Sequence, residues 1–332
     1  MASNSDRYQD LLALRSLPLE TKILYANEKI KEAYEHFNGL VYISWSGGKD
    51  SRVLLELVKE IYPDVPAIFS DTGLEYPEIR AGALALADIS LKPKMTFKEC
   101  IEKYGYPIHS KRVAQYLHEI QKPTEKNAAT VRLRLTGFKP DGRHSTLSMI
   151  PKKWQYLKNA PFKISNRCCD VFKKNPFKLY QKTSGRFPFI GTLTGESLDR
   201  KYSWLDNGCN VFDSKFPSSR PLSIWTETDI LQFHLDRSIP LPSVYGSIIP
   251  DRKNGGLTCS GLTRTGCVFC GFGCHLEEKK GLNRFEQLYT SHPTLWSYCM
   301  DQLGMADVLG WYGVRIRPGG SQLSLFETAG VL

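Results

Sequence analysis

A run of small and charged residues separates an apolar stretch, Val41 to Trp45, from an amphipathic one, Ser51 to Tyr62. A strand that passes through glycines into a helix can bind phosphate, because backbone N–H groups and the helix N-terminus face the anion. Serine hydroxyls can donate to phosphate oxygens, and a lysine adds a full charge. The alternative is a plain strand–helix turn with serine as its cap. We name this segment the phosphate loop; it consists of Ser46, Gly47, Gly48, Lys49, Asp50 and Ser51.

Two further polar positions follow predicted core strands. Asp71 and Thr72 come directly after the apolar run Val65 to Phe69. A carboxylate there can help to bind Mg²⁺ or a nucleotide, although an aspartate that merely closes the strand in a turn is the alternative. Glu196 and Arg200 are four positions apart after a third apolar run, so a helix would place both on one face. The alternative is that these two residues are structural and form a helix cap and an ion pair.

Six of the nine cysteines fall into two clusters, Cys168 to Cys169 and Cys259 to Cys274. Clustered cysteines in a reducing compartment favour a metal site over disulfides. Two thiolates at C-x-x-C spacing can bind one centre, and an iron–sulfur cube can accept adjacent cysteines more readily than one Zn²⁺ can. The remaining cysteines are predicted to be buried apolar residues; they are Cys100, Cys209 and Cys299.

The elements that must position these residues alternate between strand and helix. Strands are predicted near residues 40–45, 65–69, 92–96 and 187–193, and helices near 19–37, 51–62, 77–89, 226–237 and 283–312. This alternation predicts an α/β fold with a mostly parallel twisted sheet flanked by helices. The predicted domains are an N-terminal helical segment, 1–37; a nucleotide-binding domain, 38–240, with a basic insertion at 122–163; and a Cys-rich, helical C-terminal part, 241–332.

The chain is basic, with 44 Lys and Arg against 34 Asp and Glu among 332 residues, a net charge of +10 and a pI near 9.0. That balance favours anionic partners such as nucleotides or nucleic acid. The insertion at 122–163 is rich in Lys and Arg and has Tyr116, Phe138 and Trp154 in or near it for base stacking. A mobile, solvated insertion is the alternative. No apolar stretch is long enough to span a bilayer, so we predict a soluble, cytoplasmic protein with no membrane partner.

The phosphate loop resembles the PP-loop of the ATP-pyrophosphatase, or adenine nucleotide alpha hydrolase-like, superfamily. The stretches GTLTGESLDRK, 191–201, and PLSIWTETDI, 221–230, resemble the phosphoadenosine phosphosulfate reductase branch. The resemblance covers residues 38–275 and implies a Rossmann-like fold. It implies that ATP is split between its α and β phosphates and that AMP is left on a substrate oxygen.

The resemblance also implies roles for single residues. Ser46, Gly47, Gly48 and Ser51 would hold the pyrophosphate, and Lys49 would neutralise charge on it. Asp50 and Asp71 would bind Mg²⁺, Thr72 and Glu196 would line the nucleotide site, and Arg200 would contact a phosphate. In the family a Cys-Cys pair and a later C-x-x-C bind one [4Fe–4S] cluster, and the pattern here looks the same, with Zn²⁺ as the alternative metal. The implied ligands are Cys168, Cys169, Cys267 and Cys270, and Cys259 and Cys274 are alternative ligands or carriers of a transferable sulfur.

Three functions compete. The first is an ATP-dependent sulfur-transfer enzyme acting on nucleic acid, DNA or tRNA, similar to the ATP-pyrophosphatase subunit of DNA phosphorothioation systems. The second is a sulfonucleotide reductase, and the third is a nucleic-acid-binding module with a structural metal. The complete phosphate loop favours the first, and so does the lack of any Cys after Cys299, since a reductase needs a mobile C-terminal thiol. A sulfur donor such as a cysteine desulfurase is the expected partner, and a homodimer is possible.

Overall fold

The computed structural model describes residues 4–319. Its helices are α1 Asn4–Arg15, α2 Leu19–His36, α3 Lys49–Ile61, α4 Pro77–Leu86, α5 Phe97–Tyr104, α6 Lys111–Ile120, α7 Ala128–Thr136, α8 Arg167–Cys169, α9 Asn175–Ser184, α10 Leu198–Asn207, α11 Glu227–Asp236, α12 Cys274–Glu277, α13 Arg284–Ser291, α14 Pro293–Ser297 and α15 Met305–Tyr312. Its strands are β1 Val41–Trp45, β2 Ala67–Ser70, β3 Ile89–Leu91, β4 Ile108–His109, β5 Phe187–Ile190, β6 Asn210–Val211, β7 Ser218–Ser219, β8 Ile248–Pro250, β9 Leu257–Cys259 and β10 Gly271–Phe272.

A six-stranded sheet of order β3-β2-β1-β5-β7-β6 carries the phosphate loop. Strand β1 lies in the middle of this sheet. It pairs in parallel with β2, where Ile43 is opposite Ala67, and with β5, where Ile43 is opposite Phe189. Only β6 runs antiparallel, against β7. The central strands β1, β2 and β5 are largely apolar because helices cover both faces of a parallel sheet. The predicted α/β fold with a mostly parallel sheet flanked by helices is confirmed.

Helix α3 follows β1 directly and is fixed by its apolar face. Val53, Leu54, Leu57 and Val58 are fully buried in the same core as Ile43. A parallel strand feeding a helix that packs back onto the sheet leaves the loop between them at the carboxyl edge of the strands, where ligands bind in such folds. The sequence therefore positions the phosphate loop through two strongly patterned neighbours.

The chain forms two compact units, and it passes between them three times. Unit 1 contains the residues up to Pro93 together with Asn175–Gly266, and unit 2 contains Lys94–Lys174 together with the residues from Cys267 onward. This division differs from the predicted boundaries after residues 37 and 240, because contacts join segments that are distant in sequence. The predicted N-terminal segment contributes α1 and α2 to unit 1, and its first three residues and residues 320–332 lie outside the described part.

Unit 2 is built from short helices and small strand pairs. Its strands β4 and β10 pair in parallel, with Gly271 opposite Ile108. The predicted continuous helical stretch at 283–312 is divided into α13, α14, a π-helical turn at Tyr298–Gln302 and α15. Pro293 and Gly304 explain two of the breaks, since proline cannot continue a helix and Gly304 adopts a left-handed conformation. Strand β3 likewise lies at Ile89–Leu91 and not at 92–96.

No helix among residues 4–319 has the length and apolar character that crossing a bilayer requires.

Candidate functional site

The phosphate loop of unit 1 is preorganised by its own two serines. The Ser46 and Ser51 hydroxyls lie 2.8 Å apart, and the Ser51 hydroxyl donates to the Gly48 carbonyl at 2.9 Å. The Ser46 hydroxyl in turn accepts from the Gly48 N–H at 3.4 Å. These bonds hold the turn at the start of α3, where the first N–H groups of a helix have no partner within the helix. The arrangement presents donors and a partial positive charge to an anion.

Gly47 is required by both conformation and space. Its φ is +76°, in the left-handed region that side chains rarely adopt. A Cβ here would lie 2.8 Å from the Ile79 carbonyl and 2.9 Å from the Ala83 Cβ, both in α4. The same helix is attached to β1 by a hydrogen bond from the Trp45 indole to the Ala83 carbonyl at 2.9 Å. The loop can therefore turn tightly only because glycine occupies this position.

The Lys49 side chain is buried and paired with carboxylates. Its residue is 2% exposed, and its Nζ lies 3.0 Å from a Glu227 oxygen and 3.4 Å from an Asp50 oxygen. Burial alone would lower the pKa of Lys49, but the charges of Asp50 and Glu227 outweigh burial and raise that pKa above its ordinary value. Lys49 is thus a fixed cation at the start of α3. Glu227 was not predicted as a site residue, although it opens the predicted α11.

Three more residues that the sequence did not single out support this helix start. The Tyr245 hydroxyl accepts from the Lys49 N–H at 3.4 Å and lies 2.8 Å from the Thr265 hydroxyl. The His234 Nε2 lies 3.0 Å from the Lys49 carbonyl, and His234 is buried. None of the three belongs to a recognisable local motif, because each reaches the loop from an element distant in sequence.

Glu196 and Arg200 form the ion pair that their spacing suggested, and Arg264 joins them. Arg200 contacts one Glu196 oxygen, and Arg264 donates to the other at 2.6 Å. Burial lowers the pKa of Arg200, as does the charge of Arg264, whereas the charge of Asp50 acts in the opposite direction. Arg200 therefore lies near enough to the phosphate loop for the Asp50 charge to affect it. Glu196 binds two arginines and its own strand end, with its carboxylate accepting from the Leu193 N–H at 3.0 Å.

Asp71 lies at the end of β2, as predicted, but both of its oxygens are occupied by Arg80. The Arg80 guanidinium donates at 2.6 and 2.8 Å in a bidentate pair, and this pairing lowers the pKa of Asp71. Thr72 donates to Glu75 at 2.6 Å and accepts from the Leu74 N–H at 3.1 Å, which closes the turn. The local contacts are thus those of a structural turn, and Mg²⁺ or nucleotide binding by Asp71 and Thr72 stays a prediction.

The cysteines predicted to bind the cluster all lie in unit 2. The Cys168 thiol donates to Cys169, and the charges of Cys267 and Cys270 act on Cys168. That hydrogen bond lowers the pKa of Cys169, an effect that nearby lysines reinforce, and it raises the pKa of Cys168 together with burial. A π-helical turn at Asp170–Lys174 follows the adjacent cysteines directly, and such turns are frequent at functional sites.

Cys270 is surrounded by groups that stabilise negative sulfur. The Phe272 backbone N–H donates to its sulfur, and the Arg284 charge counteracts the effect of burial on its pKa, which is raised. Arg284 also donates to the Cys270 carbonyl at 3.0 Å and pairs with Glu277. Within residues 4–319, no three or more His, Cys, Asp and Glu side chains are grouped closely enough to hold a single metal ion. Four cysteine donors with such cationic neighbours still fit an iron–sulfur cluster in chemical type.

The two alternative cysteines have different surroundings. Cys259 is buried in β9 of unit 1; burial raises the pKa of its thiol, and the charges of Lys49, Glu227 and Asp50 act on it. Cys274 is buried in unit 2, donates to the Gly271 carbonyl at 3.0 Å, and has a pKa raised to about 12 by burial.

The basic segment 122–163 belongs to unit 2, and its cations differ in availability. Arg134 is engaged internally: it donates to Glu119 at 2.7 Å and to the Ser148 carbonyl at 3.2 Å, and it stacks 3.7 Å from the centre of the Tyr116 ring. The broadly exposed cations are Lys122, Lys126, Arg132, Arg143, Lys152, Lys153, Lys158 and Lys163. Among the three stacking candidates, Phe138 is 43% exposed.

Comparison with known proteins finds a family model that matches part of this chain. Residues 40–123, which contain the phosphate loop, Asp71 and Arg80, match the sequence model of the phosphoadenosine phosphosulfate reductase domain. The predicted resemblance to that branch is supported over these residues, while membership of the family and the similarity to phosphorothioation systems stay predictions.

Several proteins that are similar to this chain are reductases. An adenosine 5'-phosphosulfate reductase of Staphylococcus epidermidis is 24% identical over 255 residues, which are 74% of this chain and 81% of that protein. A phosphoadenosine 5'-phosphosulfate reductase of Salmonella choleraesuis is 38% identical over 68 residues, 20% of this chain and 28% of that protein. The crystal structure of a phosphoadenylyl-sulfate reductase from Candida auris, a phosphate complex, covers 77% of this chain and 98% of its own at 16% identity, with a TM-score of 0.39.

Proposed function

We propose that the protein is an ATP-dependent sulfur-transfer enzyme that cleaves ATP between its α and β phosphates at the phosphate loop. The observation that carries this proposal is the complete arrangement at the start of α3. Serine hydroxyls, the helix N-terminus and the buried Lys49 ammonium all meet there. The similarity to named sulfonucleotide reductases supports sulfur chemistry, and the loop supports a nucleotide with a polyphosphate chain.

The chemistry would proceed in two displacements. A substrate oxygen attacks the α-phosphorus of ATP, the bond from that phosphorus to the bridging oxygen breaks, and pyrophosphate leaves. A sulfur nucleophile delivered by a donor then attacks the substrate atom that carries the adenylated oxygen, the bond between that atom and the oxygen breaks, and AMP leaves with the oxygen. Lys49 would neutralise the charge that develops on the departing pyrophosphate, and such preorganised charges are worth several kcal/mol in a site that excludes water.

Arg200 and Arg264 would supply further positive charge in the same unit. Glu196 fixes both guanidinium groups, so neither has to be ordered when the nucleotide binds. Arg200 is the one that we assign to the α-phosphate or to a substrate phosphate, since the Asp50 charge reaches it. Glu196 would then act on the nucleotide through the arginines and not by direct contact.

Asp50 is the carboxylate of this site that we assign to Mg²⁺. Its side chain is 25% exposed and its contact with Lys49 is long at 3.4 Å, so it can accept a cation. Asp71 would have to exchange its bidentate Arg80 contact to do the same. Mg²⁺ usually binds through one or two carboxylates and the substrate phosphates, which a single aspartate satisfies.

Cys168, Cys169, Cys267 and Cys270 would hold a [4Fe–4S] cluster, which the resemblance of their spacing to the reductase family supports. When bound, such a cluster supplies either electron transfer or a site for sulfide. The chain's own contribution is the charge around the thiols: the Cys168 hydrogen bond and nearby lysines lower the pKa of Cys169, and the Arg284 charge counteracts the effect of burial on the pKa of Cys270. Zn²⁺ is the alternative metal.

The proposed substrate is nucleic acid, DNA or tRNA, and the proposed partner is a sulfur donor such as a cysteine desulfurase. The net charge of +10 and the exposed cations of segment 122–163 support a polyanion. Mass spectrometry of nucleosides from cells with and without the gene tests this directly. A sulfur-containing nucleotide that disappears on deletion and returns with the wild-type gene is expected, and identical nucleoside profiles would contradict the proposal.

A sulfonucleotide reductase is the second candidate, favoured by the names of the similar proteins. It would bind a sulfonucleotide in the same loop and release sulfite with a reductant. Incubation with adenosine 5'-phosphosulfate or its 3'-phosphorylated form, together with thioredoxin or a small thiol, distinguishes the two. Sulfite formation without any pyrophosphate release from ATP would show that the protein is a sulfonucleotide reductase.

A further inference from the structure

Two histidines and a tyrosine from three elements of unit 2 meet in one cluster that neither the proposed reaction nor the cysteines use. His109 ends β4, His275 lies in α12 and Tyr312 ends α15. The pairing of β4 with β10 brings them together, and the Gly273 N–H donates to the His109 carbonyl at 2.8 Å. The two imidazole centres are 4.7 Å apart, and the Tyr312 ring centre lies 5.7 Å from that of His275 and 6.1 Å from that of His109.

The polar atoms of this cluster are buried without hydrogen-bond partners among the described residues. They are both ring nitrogens of His109, the Nδ1 of His275 and the hydroxyl of Tyr312. His109 is 7% exposed and Tyr312 is 5% exposed. Buried polar atoms nearly always have partners in folded proteins, because burial without one costs free energy. Four such atoms in contacting side chains make this cluster a candidate for binding a polar or charged group.

The backbone of His109 adds an independent observation. Its φ is +68°, and among the described residues only Asn38, His109 and Ser238 are non-glycine residues with positive φ. A left-handed conformation is costly for a residue with a Cβ, and such strain concentrates at functional positions. Here the strain brings a buried imidazole into contact with the other histidine.

We propose that His109, His275 and Tyr312 bind one divalent first-row transition-metal ion, with zinc as the foremost candidate. A Zn–N bond of about 2.0–2.1 Å places a metal about 3.2 Å from an imidazole centre, so two imidazoles on one tetrahedral ion have centres about 5 Å apart. The phenolate oxygen of a tyrosine lies outside its ring, so the tyrosine ring centre is farther from the metal than an imidazole centre is. The expected distance between a tyrosine ring centre and a histidine ring centre is therefore about 6 Å. The distances of 4.7, 5.7 and 6.1 Å reproduce this pattern.

The donor set selects the class of ion. Imidazole suits Zn, Cu, Ni and Co, whereas Mg and Ca prefer oxygen ligands throughout. Trp154 closes the cluster, with its ring 4.5 Å from His109 and 5.4 Å from His275. A metal here would tie β4 to α12 and α15. This site goes beyond the proposed function. It also differs from the cysteine site in its ligands, since nitrogen and oxygen atoms bind the ion and sulfur does not.

Cobalt substitution tests the proposal. Anaerobically purified, full-length protein is titrated with Co²⁺ and its metal content measured, beside the variant His109→Asn/His275→Gln. Asparagine is chosen because it tolerates the left-handed conformation. Wild type should bind one more equivalent than the double variant, and this extra ion should lack thiolate charge-transfer absorption. Any ions at the cysteines cancel in the difference. His144→Ala, at an exposed histidine of the same unit, should bind as wild type does.

Tyr312→Phe keeps the ring and removes only the oxygen, so it should fold normally and bind the extra ion at least ten-fold more weakly. The proposal would be overturned if wild type and the double variant bound the same number of ions. Unchanged affinity in a folded Tyr312→Phe protein would equally remove the three-ligand site.

Discussion

The Lys49 ammonium lies 3.0 Å from a carboxylate oxygen of Glu227, a residue that opens a helix far along the chain. Lys49 also contacts Asp50, so two carboxylates share one buried cation. A nucleotide phosphate would compete with them for this cation. The pair therefore keeps Lys49 charged and in place when no phosphate is bound.

Glu227→Gln should lower the pKa of Lys49, because the Glu227 charge, after that of Asp50, raises it. A lysine with a raised pKa stays protonated until the pH exceeds its folded value, so the rate should fall only at strongly alkaline pH in the wild type. In the variant that alkaline limb should move to lower pH. The measurement is pyrophosphate release against pH, with Glu60→Gln as the control, since Glu60 is an exposed partner of Arg237. If the alkaline limb of the variant's pH profile stayed in place, Glu227 would not control the pKa of Lys49.

Asp71→Asn should destabilise the protein in a pH-dependent way. The pKa of Asp71 is lowered by Arg80, so the pair stabilises the fold above the unfolded value of about 3.9 and is lost as the pH falls below it. Because the Arg80 side chain is 45% exposed, we expect only about 1 kcal/mol at pH 7. Urea unfolding at pH 7 should show this difference, and it should shrink toward pH 3.

Arg80→Ala separates the two roles of Asp71. A purely structural pair predicts similar destabilisation in both variants and no extra effect when they are combined. If Asp71 also binds Mg²⁺, only Asp71→Asn should need more Mg²⁺ for half-maximal pyrophosphate release.

Anaerobically purified protein should be brown, absorb near 400 nm and hold about four irons per chain. Cys267→Ser should lose the colour and the iron. Cys299→Ala should keep both, because Cys299 is fully buried and is predicted to be an apolar core residue. A colourless protein with one zinc per chain would replace the cluster by the alternative metal.

Changing Lys126, Arg132 and Lys152 to Ala should weaken nucleic-acid binding similarly for different sequences. Each lost phosphate contact should reduce the salt slope by about 0.9 for duplex DNA, because fewer counterions are released. Arg134 is left intact because its guanidinium supports Glu119 and Ser148. The control changes Lys31, Lys182 and Lys215, three exposed lysines of unit 1, with the same loss of charge. Equal weakening by both triple variants, or no binding at low salt, would contradict a specific surface at 122–163.

The sequence predicted those parts of the fold and site that depend on neighbouring residues. The alternation of β1, α3 and β2, the phosphate loop and the Glu196–Arg200 pair are all local patterns. Tyr245, Thr265, His234 and Glu227 could not be found in this way, because only the folded chain brings them to Lys49. The Asp71–Arg80 pair was missed for another reason: an aspartate after a strand suits a metal site and an ion pair equally well.

Local sequence patterns could not predict the boundaries of the two units either. Segment 94–174 interrupts unit 1 in sequence, and its residues pack with those after Cys267. Apolar periodicity identifies an element but not the element that it packs against, so contiguous domains were the natural prediction.

The most direct test of the account is the product of ATP cleavage. Purified protein, Mg²⁺, α-labelled ATP and nucleic acid substrate with a sulfur donor should yield AMP and pyrophosphate in equal amounts. Lys49→Ala should lower the rate at least about 100-fold, while Lys59→Ala, on the same helix but paired at the surface with Asp88, should not. Release of orthophosphate and ADP, or a Lys49→Ala rate equal to that of wild type, would contradict cleavage at the phosphate loop.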